Sequence, residues 1–413
     1  MADIRRKLMF TAAMLFLYRV GSWIPAPGVN VHAVDNLQKE FGGAGILSLL
    51  NLLNGGGLAR LAIFALGIMP YITSSIILQL LQVVIPSLEK LSKEGEVGQA
   101  RITQYTRYLT VTLAFFQSIV VVFIFHLQQG HTGESVISHF DVPHVFLVIV
   151  SLTAGAVLLM WIGELITQRG IGNGISLLIF ASIVSRLPSL VSTWWNSQDQ
   201  AFKVLMPFLV LAVLAGVVFV MEGQRRIPVQ YAKRVIGRRM SSGGQTYLPL
   251  RLNMAGVIPI IFAVAIMTFP ATLGQFIHAH WARSIGDFFT PNGWHYLVGQ
   301  SIFIIIFSYF YTAVTFNPVD QADNLKKYGG FIPGVRPGRP TAEFLDRILA
   351  RLTFWGALFL AAVAALPTIL IDQTHQNIPL GGTSILIVIG VALETMKQLE
   401  AQLMMRSYEG FLK

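Results

Sequence analysis

The chain has 413 residues, of which 54% are hydrophobic and only 12% charged, with a formal net charge of +10 and a mean hydropathy of +0.62. A soluble domain carries about 25% charged residues, so half the usual polar surface is missing and a water-soluble globular class is excluded. The absence of cysteine also excludes disulfides, thiolate metal sites and thiol catalysis.

Roughly 20 apolar residues cross the hydrocarbon core as a helix, and lipid offers backbone groups no other partner. The first such segment, 8–23, runs into Arg19 and a proline-containing loop without a small-residue cleavage site, so it reads as a span and not as a removable signal. An odd segment follows at 45–57. Its apolar stretch, with Ile46, Leu47, Leu49, Leu50, Asn51 and Leu53, leads into Gly55-Gly56-Gly57. As a helix it measures about 15 Å at 1.5 Å per residue, half of the roughly 30 Å core. It cannot span. It must be buried in protein or a cavity, or else lie at the outer interface.

Further spans are expected at 58–85, 105–126, 144–166 and 173–190, then at 202–221, 254–278, 295–316, 348–371 and 381–396. The expected fold is an all-α polytopic membrane protein with ten transmembrane helices. With the N-terminus inside, 24 of the 30 lysines and arginines fall in inner segments, a strong positive-inside bias. Trp23, Trp194, Trp195, Trp281 and Trp294 then mark the outer interface, and both termini are cytoplasmic.

Ten spans with both ends inside divide into five plus five, 1–191 and 192–413, and an odd number per half requires an inverted repeat. Gly67-Ile68-Met69-Pro70-Tyr71-Ile72 in the second span is echoed by Gly256-Val257-Ile258-Pro259-Ile260-Ile261 in the seventh. Gly172-Asn173-Gly174-Ile175-Ser176 is echoed by Gly381-Gly382-Thr383-Ser384-Ile385. Such breaks at matching places point to broken helices lining a central path. Ile68 and Ile72 share a helix face, as do Ile175 and Ile179, and Ile261 and Ile387 lie just past breaks. A ring of stiff β-branched side chains would seal by dewetting. Spacing alone favours ordinary packing.

The inner loops are the largest polar regions. Residues 222–253 carry two alternating stretches around a Ser/Gly turn, the pattern of a β-hairpin, with Arg238 and Arg239 toward its tip. Residues 317–347 carry Lys326-Lys327 and Pro333-Gly334-Val335-Arg336-Pro337-Gly338, a turn that displays Arg336. Such loops suit an anionic cytosolic partner. There is no phosphate loop, zinc-protease helix or nucleophile elbow, so no enzyme and no cofactor is expected. Glu164, Glu222 and Glu394 read as helix-end carboxylates, and Arg19 and Arg186 as snorkelling cations. A secondary solute transporter with inverted repeats is the rival, but such proteins usually break the first helix of each half around a polar site.

Several motifs carry a resemblance across essentially the whole chain. They are Ala65-Leu66-Gly67-Ile68-Met69-Pro70-Tyr71-Ile72, Gln104-Tyr105-Thr106-Arg107-Tyr108, Arg169-Gly170-Ile171-Gly172-Asn173-Gly174, Gly223-Gln224-Arg225-Arg226, Tyr231-Ala232-Lys233-Arg234, Ala322-Asp323-Asn324-Leu325-Lys326-Lys327 and the Pro333–Gly338 turn. In these the sequence resembles the SecY family, the central channel subunit of the bacterial protein translocase. The resemblance implies that the 46–54 segment is a plug, and that Ile68, Ile72, Ile175, Ile179, Ile261 and Ile387 form a pore ring. It implies a lateral gate of spans two, three, seven and eight, with Thr73, Gln117 and Phe269 on its face. Arg238, Arg239, Lys326, Lys327 and Arg336 would meet the SecA motor or the ribosome. SecE and SecG, signal sequences, nascent polypeptides and the lipid bilayer are the other implied partners, and the plasma membrane the implied location. Seven residues precede the first span, where the family has a longer amphipathic lead.

Overall fold

The computed structural model describes residues 2–30, 32–34, 51, 54–132, 136–137, 140–196, 200–231, 235–236, 239–240, 245–276, 286, 288–289, 294–374 and 382–411. Helices are found at all ten expected places. The first half contains α1 (Ala2–Gly21), a 3-10 turn (Leu58–Arg60), α2 (Met69–Val84), α3 (Pro86–Lys93), α4 (Glu96–Thr132), α5 (Val142–Arg169), α6 (Gly174–Val184) and α7 (Leu187–Trp195). The second contains α8 (Gln200–Glu222), strands β1 (Gln224–Tyr231), β2 (Val235–Ile236), β3 (Arg239–Met240) and β4 (Gln245–Arg251), and α9 (Ile258–Phe276). Then come α10 (Trp294–Thr315), α11 (Pro318–Lys327), β5 (Gly330–Phe331), α12 (Arg339–Thr374) and α13 (Gly382–Phe411).

By length and composition, five helical stretches among the described residues can each cross a membrane: Glu96–His126, Val142–Arg169, Lys203–Glu222, Trp294–Lys327 and Arg339–Leu366. The remaining five expected spans do not meet that criterion singly, for visible reasons. Helix α1 carries Arg5, Arg6, Lys7 and Arg19, and α13 runs on into a polar tail. Helix α2 meets it only jointly with α3, from which it is bent by 102°. The apolar parts of α6 and α9 are short, and both lie mostly among protein neighbours, where a helix need not match the bilayer.

The second span is shorter than its apolar pattern. Residues 61–68 are not helical, because Gly67 adopts φ +58°, a left-handed conformation that glycine alone accepts freely. The helix starts at Met69, with Pro70 in its first turn, where proline costs no hydrogen bond. The seventh span begins the same way: Gly256 at φ +64°, the helix starting at Ile258, and Pro259 next. The sequence echo is therefore an echo in backbone geometry. The fifth span opens on Asn173, whose side chain accepts from the Ile175 and Ser176 amides at 3.1 and 3.4 Å, an N-cap set up by Gly172 at φ +86°.

Helix α9 packs against both α2 and α4, and α13 against both α6 and α8, so the two halves meet along two seams. The main apolar core lies between them and draws on α2, α5, α6, α9, α10, α12 and α13.

The expected hairpin is present. Strand β1 pairs antiparallel with β4 from Gln224↔Arg251 to Gln230↔Gln245. Beyond the expectation, β1 also pairs with β5 through Gln230↔Phe331 and Tyr231↔Gly330. This three-stranded sheet, ordered β4-β1-β5, has its own core of Ile227, Val229, Leu250, Ile332, Leu345, Ile348 and Leu349. The two polar loops are one unit.

Candidate functional site

Four helices contribute the six isoleucines to one buried core. Ile68 caps α2 and Ile72 lies one turn on, Ile175 and Ile179 sit on α6, Ile261 on α9 and Ile387 on α13. Ile68, Ile72, Ile179 and Ile387 are buried in a single apolar cluster, and Ile175 and Ile261 pack against it half-buried. Beside Gly163 of α5, the Cγ1 of Ile175 and the Cδ1 of Ile68 come within 3.4 and 3.7 Å of the space a β-carbon would fill. Gly163 thus lets α5 approach both. Chemically the six isoleucine side chains offer no donor, acceptor or charge. They can exclude water and ions, and nothing more.

Of the proposed plug positions, Ile46, Leu47, Leu49, Leu50 and Leu53 lie outside the described residues. Asn51 is buried, and its Oδ1 accepts from the Ala59 amide at 3.0 Å. Asn54 is buried against Gly67, and its Nδ2 donates to the Ala65 carbonyl at 2.7 Å while its Oδ1 has no partner among the described residues. The glycines behind it make a tight turn, with Gly55 at φ +64° and Gly56 at +89°.

The sequence reading missed what holds that turn. Arg19 does not snorkel: its Nη1 donates to the Gly55 carbonyl at 2.9 Å and to the Ser185 hydroxyl at 3.2 Å. Tyr18 and Ser182 share a 2.6 Å hydrogen bond beneath Gly55. Glu164 and Glu222 are likewise not free helix-end carboxylates. Glu164 takes a bidentate grip from Arg107, at 2.9 and 2.7 Å, and Glu222 pairs with Lys397 at 2.7 Å. Lone charges in ten apolar segments signal their need of partners, but not which helix supplies them.

Along one seam, α2, α4, α9 and α10 are packed together. Thr73 and Gln117 are half-buried there, with the Thr73 hydroxyl turned onto the Met69 carbonyl at 3.0 Å. Phe269 lies on α9, and its side chain is outside the described residues. The Ser74 hydroxyl donates to the Thr106 carbonyl at 2.7 Å, tying α2 to α4.

On the sheet unit, Lys326 and Lys327 are exposed in the last turn of α11, where cations suit the helix dipole. Arg336 is exposed in a turn bounded by Gly334 at φ +83° and Gly338 at φ +102°, and the Thr341 hydroxyl donates to its carbonyl at 2.8 Å. Arg238 lies outside the described residues, and Arg239 is in β3 with its side chain likewise outside.

A SecY family model matches residues 62–396. The chain is 49% identical over 434 residues to the protein translocase subunit SecY of Corynebacterium glutamicum, covering 100% of this chain and 98% of the relative. It is 47% identical over 430 residues to that of Mycobacterium tuberculosis, covering 100% and 97%. Among solved structures it resembles "The structure of a protein conducting channel", with a TM-score of 0.66 at 19% identity over 97% of this chain and 92% of that one. It also resembles "Sec61 in the Canine ribosome-channel complex from the endoplasmic reticulum", with a TM-score of 0.64 at 19% identity over the same shares.

Proposed function

Because this chain belongs to the SecY family, we propose that it forms the channel through which unfolded polypeptides cross the bacterial plasma membrane and membrane helices leave sideways into lipid. The observation that supports the reading is that six isoleucines, from four helices of both halves, belong to one buried apolar cluster. A solute carrier needs polar groups where its substrate sits; the six isoleucine side chains supply none.

The isoleucines are the ring that seals the resting pore, and the segment from Ile46 to Asn54 is the plug. The seam between α2, α4, α9 and α10 is the lateral gate, with Thr73, Gln117 and Phe269 on its face. Both termini and the sheet unit face the cytoplasm, where Arg238, Arg239, Lys326, Lys327 and Arg336 meet the SecA motor or ribosomal RNA. SecE and SecG complete the assembly. The channel hydrolyses nothing itself, and the driving force comes from its partners. The test is reconstitution: proteoliposomes holding this chain with its small subunits, supplied with motor, ATP and a precursor, should protect the precursor from protease. Vesicles that import a radiolabelled solute but leave the precursor exposed would overturn the reading.

A further inference from the structure

Six lysines and arginines lie outside the cytoplasmic set, and three of them gather around one turn. Arg19 holds the Gly55 carbonyl, and the Arg186 guanidinium reaches within 3.7 Å of the space beside Gly56. Arg60 lies 3.7 Å over the ring of Trp23, which also faces Arg19. No carboxylate among the described residues forms an ion pair with any of the three. Arg19 directs its donors at backbone and hydroxyl oxygens. A cation at the last turn of α1 is favoured by the helix dipole, and a charged donor makes a stronger bond to a carbonyl than a neutral one.

The other side of the turn is held less completely. Asn54 spends its amide nitrogen on Ala65 and leaves its buried oxygen without a partner among the described residues. It rests on Gly67, one residue before Ile68 of the ring. The turn at 54–57 is thus fastened to α1 and α6 by Arg19 and pressed, through Asn54, onto the backbone that positions the ring's first isoleucine.

On the strength of the channel reading above, we propose that Arg19 is a positioning residue for channel closure: its hold on the Gly55 carbonyl and Ser185, backed by the Tyr18–Ser182 bond, keeps the 54–57 turn seated and sets how often the resting pore opens. Losing the bond from Arg19 shifts the closed-to-open balance by about tenfold, equivalent to about 1.4 kcal/mol.

The experiment is ion conductance of the full chain with its co-purifying subunits in planar bilayers, without precursor, normalised to protein incorporated. The ring variant I72N/I179N serves as a reference leak. Arg19→Gln should raise resting conductance about tenfold, with Arg19→Lys in between because it keeps one charged donor, and should also export a precursor with a defective signal sequence. A residue that merely supports folding would reduce the amount of protein without raising conductance per channel. Wild-type conductance for Arg19→Gln beside a leaking ring variant overturns the anchor while leaving the channel reading intact; a silent ring variant overturns the seal assigned to the isoleucines, and precursor protection in proteoliposomes tests the channel reading separately. Should Arg19→Gln fail to accumulate, Ser185→Ala removes its contact to Arg19, together with the Ser185 bond to the Ser182 carbonyl, and should at least double the conductance; no change there overturns the anchor equally.

Discussion

A buried isoleucine contributes by what it lacks. Four of the six in the central cluster are almost fully buried, Ile387 at 1% exposure and Ile179 at 3%, and each is stiff at its first torsion. Replacing Ile72 and Ile179 with asparagine puts two amides where no partner waits, at about 1–3 kcal/mol each when unpaired. Water entering the constriction relieves that cost, so the wet state gains. We expect I72N/I179N to raise resting conductance by more than tenfold at normal expression; wild-type conductance would leave these residues as ordinary packing. The i, i+4 spacing of Ile68 with Ile72 and of Ile175 with Ile179 is legible in the sequence. That all six share one buried cluster is not, because it depends on how four helices pack across two halves. The same limit hid the anchor of the glycine turn: Arg19 and Gly55 are 36 positions apart, and Arg19 and Ser185 are 166 apart.

Secondary structure elements were more legible, where local chemistry dictates them. The Gly-x-x-Pro breaks and the β1–β4 hairpin each rest on a few adjacent residues, and each is present. The pairing of β5 with β1 was not foreseen, since two residues of strand leave no periodicity to read. Its effect is to turn Arg336 from a charge on a loop into a charge on a folded platform. Arginine offers a planar fork suited to carboxylate or phosphate, which lysine reproduces poorly. Arg336→Glu is therefore expected to cut motor-driven precursor translocation into inverted vesicles at least tenfold, a loss of about 1.4 kcal/mol or more in coupling, with thermal stability and membrane insertion unchanged. Arg336→Lys should recover part of the rate. Full activity of the Glu variant would remove the docking role.

Across the whole molecule, the positive-inside count orients every helix at once, and the lack of cysteine makes the orientation simple to read. Ser242→Cys and Gly338→Cys should react with an impermeant maleimide only from the cytoplasmic side, and Gln129→Cys only from outside. Labelling of Ser242→Cys from outside would overturn the ten-span topology. Composition and charge carried the fold class, because they are sums over the chain. Span lengths were carried less well: α2 begins eleven residues after the start of the 58–85 pattern, because a glycine and a proline override hydrophobicity there. Helix α12 begins before its expected apolar segment and α13 runs on past its own.

The pairing of Tyr231 with Gly330 binds together two stretches of chain that are about a hundred residues apart and reach the sheet by separate membrane helices. A β-carbon on Gly330 would sit 3.0 Å from the Tyr231 ring and 3.3 Å from Val229, tight enough that one side must give way to the other. In evolutionary terms the two loops are then not free to drift singly. A lineage that enlarges position 330 needs the Tyr231 ring and Val229 to yield by a few tenths of an ångström, and a graft of either loop from a distant relative should cost stability unless its counterpart travels with it.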